Sequence, residues 1–152
     1  MNILFVCTGN SCRSVMAEYL FNKLAAQRAL SGWEAQSAGI AAESAFGVPP
    51  EALHALRERG ISEIRHVPRP AARELLEWAD LVLCMSKVHL EVLHGQFSDQ
   101  AGKIHLFLKY AGLGEREVDD PIGQPEEVYR ATRDVIEAGL EALLKRDAYV
   151  KP

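Results

Sequence analysis

The chain has 152 residues, of which 48% are hydrophobic and 25% are charged, and this is the composition of one globular domain spanning residues 1–152. The formal net charge of −4 argues against nucleic acid as a partner, because phosphate backbones are held by clustered Lys and Arg. Three cysteines are too few for a disulfide scaffold. The apolar run at residues 3–6 is too short for a signal peptide, and no stretch approaches the roughly 20 apolar residues of a membrane span. We therefore expect a cytoplasmic protein that does not bind a membrane.

Strand and helix patterns alternate along the chain. Residues 3–6 form a continuous apolar run, typical of a strand buried on both faces of a parallel sheet. A helix with one apolar face is predicted from about Arg13, because Met16, Leu20 and Leu24 recur at four-residue spacing. Further strands are predicted at residues 33–37, 81–85 and 104–107, and further helices from Pro49-Pro50 to Gly60, at residues 70–78 and 88–93, and from about Glu126. The alternation predicts a single-domain, three-layer α/β fold: a four-stranded parallel sheet with helices on both faces.

Two predictions concern side chains outside the main motif. Cys84 lies on the strand predicted at residues 81–85, so its thiol is expected to be buried. His89 and His94 lie in a polar helical segment and are expected to be solvated.

The junction between the first strand and the first helix carries the most unusual chemistry in the sequence. Gly9 and Asn10 tolerate left-handed backbone conformations, so successive N–H groups can turn inward and cradle an anion beside the helix N-terminus. Arg13 can hold two phosphate oxygens, and these surroundings favour a thiolate at Cys7. The whole junction reads Cys7-Thr8-Gly9-Asn10-Ser11-Cys12-Arg13-Ser14. Its two cysteines alone have poor zinc spacing, so neither a metal nor a cofactor is predicted.

This junction, preceded by Val6, resembles the signature loop of the low-molecular-weight protein tyrosine phosphatases. The resemblance continues in order over nearly the whole chain, through Ala17-Glu18, Ser37-Ala38-Gly39, residues 79–85 and Asp120-Pro121. It implies the flavodoxin- or Rossmann-like phosphatase I fold. It also implies an enzyme that hydrolyses phosphorylated proteins or peptides through a phosphocysteine intermediate.

The resemblance assigns roles to individual residues. Cys7 would attack phosphorus, Arg13 would hold the phosphate together with the backbone N–H groups of the loop, and Asp120 would act as general acid and then as general base. Cys12 would form a reversible disulfide with Cys7 under oxidation. The predicted substrate-binding residues are Thr8, Gly9, Asn10, Ser11, Cys12, Arg13 and Ser14, and the residues predicted to support the loop are Asn10, Ser14, Ser37 and His66.

The substrate is less sharply defined by the sequence. Breadth of resemblance favours phosphotyrosine, with protein-arginine phosphatase as the alternative. Ser11 supports this alternative, because arginine phosphatases have a small hydroxyl residue, threonine, at that position. Ile122-Gly123-Gln124 follows the Asp-Pro pair where many tyrosine-specific members have tyrosines, and Phe46 is the only aromatic residue between residues 40 and 49. An arsenate reductase would need more cysteines for its relay, and a phosphocarrier would lack a hydrolytic acid such as Asp120.

Overall fold

The computed structural model describes residues 1–150, with side chains up to Arg146. The predicted domain limit at residue 152 therefore lies outside the described residues. In chain order these form β1 (Asn2–Cys7), α1 (Arg13–Gln27), β2 (Glu34–Gly39), α2 (Pro50–Arg57), α3 (Arg73–Trp78), β3 (Leu81–Cys84), α4 (Lys87–Gln96), a 3-10 helix (Ser98–Lys103), β4 (Ile104–Leu106), α5 (Phe107–Tyr110) and α6 (Glu126–Val150).

The four strands form one parallel sheet in the order β2-β1-β3-β4, which confirms the predicted fold class. β1 is flanked on both sides, so that Phe5 pairs with Ser37 of β2 and with Leu83 of β3. The chain runs outward from β1 to β2 and then returns across β1 to β3. Ligands of parallel sheets bind beyond the carboxyl ends of the strands at such a reversal, and here β1 ends at Cys7.

Alternate side chains of β1 face two different helical layers. Ile3 and Phe5 are fully buried in a core shared with α1, α2, α5 and α6. Leu4 and Val6 are fully buried in a second core, to which α3 and α4 contribute. Because both faces of the strand are covered by helices, its sequence is apolar throughout and does not alternate. This burial fixes the end of β1, and with it the start of the loop at residues 8–12.

Several predicted element boundaries differ from the structure by a few residues, and two of these differences have a clear tertiary cause. The helix predicted at residues 70–78 begins only at Arg73, because Pro70 forms a bridge with Gly39 and the next backbone N–H donates to the Gly39 carbonyl. The strand predicted at residues 104–107 ends at Leu106. Phe107 begins α5 instead, and its ring packs edge-on against Phe5 with 5.7 Å between the ring centroids.

Among residues 1–150, no helix combines the length and the apolar character that crossing a bilayer requires.

Candidate active site

The loop at residues 8–12 leads from the buried end of β1 directly into α1. It lies against the end of β2, because the carbonyl oxygens of Cys7 and Thr8 accept hydrogen bonds from the N–H groups of Ile40 and Ala41 at 3.0 and 2.9 Å. Gly39 makes this approach possible. A Cβ atom added there would lie only 2.4 Å from the Thr8 carbonyl oxygen. The loop is therefore seated on backbone atoms that leave no room for a larger residue.

Asn10 holds the loop together from inside the protein. Its backbone has φ of 55°, the left-handed conformation predicted for the cradle, and its side chain is completely buried. The side-chain Nδ2 donates to the Oγ atoms of Ser14 and Ser37 at 2.8 and 2.9 Å. The side-chain Oδ1 accepts from His66 Nε2 at 3.0 Å and from the Arg69 backbone N–H at 3.1 Å. The structure thus brings all four predicted support residues together behind the loop.

The Asn10 amide also determines how the hydroxyls of Ser14 and Ser37 can bond. Because the Asn10 amide donates to both serine oxygens, each serine keeps its own proton for another acceptor. Ser37 donates to Glu18 Oε1 at 2.8 Å, and Ser14 Oγ lies 2.9 Å from Cys7 Sγ, to which its proton can be donated. The Ser14 bond is directed at the predicted nucleophile and would stabilise its thiolate form.

Two titratable side chains bind to this network: Glu18 through Ser37, and His66 through Asn10. Burial raises the pKa of the Glu18 carboxyl, while the hydrogen bond from Ser37 opposes that shift. Burial lowers the pKa of His66. Since His66 Nε2 faces two acceptors, the backbone oxygen and Oδ1 of Asn10, this nitrogen carries the proton in the neutral ring.

Arg13 is held in place by the loop that carries Asp120. It is the first residue of α1 and is buried, and its Nη1 donates to the Val118 carbonyl oxygen at 3.0 Å. The Val118 N–H in turn donates to the carbonyl oxygen of Met85, just after β3, at 2.8 Å. Arg13 Nη2 lies 3.6 Å from Asp120 Oδ2. Asp120 Oδ1 accepts from the Ile122 N–H at 3.1 Å, so both carboxylate oxygens have a neighbour that orients them.

The three predicted catalytic side chains line one small cavity of about 140 Å³. The residues that line it are Cys7, Thr8, Gly9, Ser11, Cys12, Arg13, Asp120 and Ile122. Asn10 and Ser14, which were also predicted to bind substrate, are buried behind the loop and are absent from this lining. A nucleophile, a cationic clamp and a carboxylic acid around so small a space can position and transfer a single oxyanion group.

A larger groove of about 480 Å³ adjoins this cavity and shares Gly9, Ser11 and Ile122 with it. Glu43 and Phe46 also line this groove, and Phe46 is 65% exposed. The groove therefore offers both an acidic and an apolar contact to whatever carries the oxyanion.

The prediction that His89 is solvated is wrong. Its side chain is 1% exposed, and Nε2 lies 2.8 Å from the Thr8 Oγ1. Nδ1 accepts from the backbone N–H of Ser86, the N-cap of α4, at 3.0 Å. Burial, and then the nearby charge of Arg13, lower the pKa of His89 to about 4, so the ring is neutral at physiological pH. Ser86 followed by a polar residue three positions later is a capping-box pattern, which in the sequence points to the contact with Ser86 but not to the contact with Thr8.

The remaining cysteines differ in their access to the cavity. Cys12 lines it, and burial raises the pKa of its thiol. A disulfide between Cys12 and Cys7 stays a prediction. Cys84 is completely buried in β3, as predicted, and burial raises the pKa of its thiol to about 12.

Comparison with known proteins places the chain among phosphatases. Residues 2–150 match the family model described as low molecular weight phosphotyrosine protein phosphatase. The chain is 39% identical over 146 residues to the protein-arginine-phosphatase of Bacillus subtilis, covering 96% of each protein. It is 35% identical over 136 residues to the low molecular weight protein-tyrosine-phosphatase Wzb of Escherichia coli, covering 90% of this chain and 88% of that protein.

A solved structure shows the same architecture. The YwlE arginine phosphatase, in a mutant with a phosphorylated active-site serine, superposes with a TM-score of 0.90 at 38% identity, covering 96% of this chain and 95% of that one. Family model, relatives and fold agree over nearly the full described length. The chain therefore belongs to the low molecular weight phosphotyrosine protein phosphatase family and is a cysteine-dependent protein phosphatase.

Proposed function

We propose that this protein removes phosphate from protein side chains by a two-step mechanism in which Cys7 is the nucleophile. The observation that carries the proposal is that Cys7, Arg13 and Asp120 line one cavity of about 140 Å³ at the carboxyl end of β1. The mutant YwlE structure with a phosphorylated active-site serine supports a covalent phospho-enzyme in a relative of the same fold.

In the first step the Cys7 thiolate, stabilised by the Ser14 hydroxyl, attacks phosphorus. The S–P bond forms while the bond from phosphorus to the leaving group breaks, and Asp120 gives its proton to the departing atom. Arg13 and the backbone N–H groups of the loop hold the phosphoryl oxygens throughout. In the second step Asp120 accepts a proton from water, water oxygen bonds to phosphorus, and the S–P bond breaks to return the thiolate.

We propose phosphoarginine as the preferred substrate. The described residues that line the Cys7 cavity include no aromatic ring that could stack on a tyrosyl group. Ser11 instead places a hydroxyl in the wall, and Glu43 places a carboxylate in the adjoining groove. Both are hydrogen-bond acceptors for a guanidinium group, which has only donors. The similarity to the Bacillus subtilis protein-arginine-phosphatase supports the same assignment.

Phosphotyrosine is the second candidate, because Phe46 and Ile122 are large apolar side chains that are exposed at the groove. Together they could contact a phenyl ring from outside the cavity. The similarity to the Wzb tyrosine phosphatase supports this candidate.

A side-by-side assay distinguishes the two substrates. Peptides of identical sequence carrying either phosphoarginine or phosphotyrosine are compared by kcat/KM, and we expect at least about tenfold preference for phosphoarginine, corresponding to ~1.4 kcal/mol. Cys7→Ser is the control and should abolish turnover of both peptides. A preference of similar size for phosphotyrosine would assign the second candidate, and turnover by Cys7→Ser would contradict the nucleophile.

Two other reactions are less compatible with the site. An arsenate reductase needs a cysteine relay, but Cys84 is sealed in β3 with a thiol whose pKa is raised to about 12 by burial. A phosphocarrier needs no hydrolytic acid, whereas Asp120 lines the cavity beside Cys7 and Arg13. Multiple turnovers per enzyme molecule distinguish hydrolysis from stoichiometric phosphorylation.

A further inference from the structure

The position of the proton on the His89 ring follows from its polar contacts: the backbone N–H and Oγ of Ser86 at Nδ1, and Thr8 Oγ1 at Nε2. The Ser86 N–H is a hydrogen-bond donor and faces Nδ1 at 3.0 Å, so Nδ1 carries no proton. In the neutral ring the proton must then reside on Nε2. Because Nε2 lies 2.8 Å from Thr8 Oγ1, His89 donates and the Thr8 oxygen accepts.

This direction leaves the hydroxyl proton of Thr8 available. A threonine hydroxyl has one proton to donate and two lone pairs that accept. Within the part of the chain that the structure describes, His89 is the one hydrogen-bond partner of the Thr8 hydroxyl. Thr8 lines the same cavity as Cys7 and Arg13. A phosphoryl group bound there would present charged oxygens, which are the strongest acceptors such a hydroxyl could meet.

The surroundings of His89 favour a neutral ring in this role. It is 1% exposed and lies close enough to Arg13 for the guanidinium charge to disfavour the imidazolium. Protonation of Nδ1 would break the hydrogen bond that this nitrogen accepts from the Ser86 N–H and would leave it only Ser86 Oγ, 3.0 Å away, as a partner. His89 therefore fixes the orientation of the Thr8 hydroxyl without placing a second positive charge beside the Arg13 guanidinium.

We propose that His89 is a positioning residue that orients the Thr8 hydroxyl to donate a hydrogen bond to the phosphoryl group of the substrate. Thr8 then binds phosphate through its side chain as well as through the loop backbone. This inference rests on the proposed function, because it requires a phosphoryl group in the Cys7 cavity.

The test is a double-mutant cycle read by two assays: calorimetric affinity for inorganic phosphate, and kcat/KM for an aryl phosphate. Thr8→Val keeps the shape of the side chain and removes the hydroxyl, and we expect it to weaken both by about tenfold, the loss typical of a hydrogen bond to a charged group. His89→Ala should cause a similar loss in the wild-type background. In the Thr8→Val background it should cost less than about twofold, because the hydroxyl that it orients is already gone.

Two conservative variants distinguish the loss of a hydrogen bond from a general disturbance of the loop structure. Thr8→Ser keeps the hydroxyl, and His89→Gln keeps an N–H donor of similar reach, so both should recover most of the phosphate affinity. Additive losses from His89→Ala and Thr8→Val would overturn the inference, and so would unchanged phosphate affinity in Thr8→Val. Absence of wild-type turnover would overturn the proposed function instead, and the phosphate-binding cycle would still decide the role of His89.

Discussion

At the scale of single residues, we expect the choice of substrate to depend most directly on Ser11. It is buried, and it lines both the cavity at Cys7 and the neighbouring groove that contains Phe46. A substrate side chain that reaches Cys7 from this groove must therefore pass Ser11.

Replacement of Ser11 by isoleucine should lower the ratio of phosphoarginine to phosphotyrosine turnover by about tenfold or more, corresponding to ~1.4 kcal/mol of differential binding. The isoleucine would remove a hydrogen-bonding group and would supply an apolar wall that suits a phenyl ring better than a guanidinium. Ser11→Thr is the matched control and should preserve the ratio. The measurement is kcat/KM for both peptides, and an unchanged ratio in Ser11→Ile would move the specificity to Phe46 or Ile122.

Asp120→Ala should slow poor leaving groups far more than good ones. Only a poor leaving group needs a proton in the first step, and loss of a general acid typically costs ~10²–10⁴-fold. The measurement is kcat/KM across aryl phosphates whose phenols differ in acidity. Asp119→Ala is the control, because Asp119 does not line the cavity, and its effect should be small. An equal loss across the series would show instead that Asp120 acts by holding Arg13.

At the scale of elements, the contact between β2 and the loop depends on the absence of a side chain at Gly39. A Cβ atom there would lie 2.4 Å from the Thr8 carbonyl oxygen and 2.9 Å from the Asn10 nitrogen. Both are backbone atoms, so no rotamer change can relieve the clash.

Gly39→Ala should therefore displace the loop, destabilise the protein by about 1–3 kcal/mol as overpacking does, and reduce phosphate affinity at the same time. Urea unfolding measures the first effect and calorimetry the second. Gly102→Ala is the control, because a Cβ atom there meets nothing within 4 Å. Normal phosphate affinity in Gly39→Ala would mean that the loop tolerates displacement from β2.

Strands β1 and β3 were predicted correctly because each one is marked by a pattern within its own few residues. β1 and β3 are continuous apolar runs because both faces of a central parallel strand are covered, and this leaves a clear trace in the sequence. Residues 70–72 were predicted wrongly because their extended backbone depends on pairing with Gly39, which lies far away in the chain. Propensity alone cannot indicate such a contact.

The site residues also fall into those that one contiguous segment indicates and those that only the fold brings together. The cradle formed by residues 7–14 is one contiguous segment, so its chemistry was visible directly. Asp120 reaches Arg13 only through the fold, and the family resemblance supplied it, because a lone Asp-Pro pair is typical of a turn. His89 was missed because its partner Thr8 lies 81 residues away, and a histidine in a polar helix gives no sign of such a contact.

At the scale of the whole molecule, His89 should make folding stability depend on pH. In the unfolded chain a histidine takes up a proton near pH ~6.5, whereas burial and Arg13 lower the pKa of His89 in the folded protein to about 4. Between these two pKa values the unfolded chain binds a proton at His89 and the folded protein does not, so acid favours unfolding. The stability that the neutral His89 contributes is therefore complete above pH ~6.5 and is lost as the pH falls toward ~4. Thr8 and Ser86 face the ring as neutral partners, while the Asp120 charge partly opposes the effect of Arg13.

We expect the wild type to lose up to about 2 kcal/mol more stability than His89→Gln between pH ~7 and ~5. Burial also lowers the pKa values of His66 and His105, but both proteins share these groups, so their contributions cancel in the difference. Urea unfolding at the two pH values provides the measurement. Parallel losses in the two proteins would show that His89 is not kept neutral by the fold.

The peptide unit of Val118 has a consequence for the entropy of phosphate binding. Its N–H is tied to Met85 after β3, and its carbonyl oxygen holds the guanidinium of Arg13. A long, flexible arginine side chain loses up to about 2 kcal/mol of rotamer entropy when it is immobilised. Here most of that loss occurs during folding, since protein contacts alone fix the side chain. A phosphate ion that enters the cavity therefore meets a guanidinium already aimed at it, and more of the attraction between them remains as affinity.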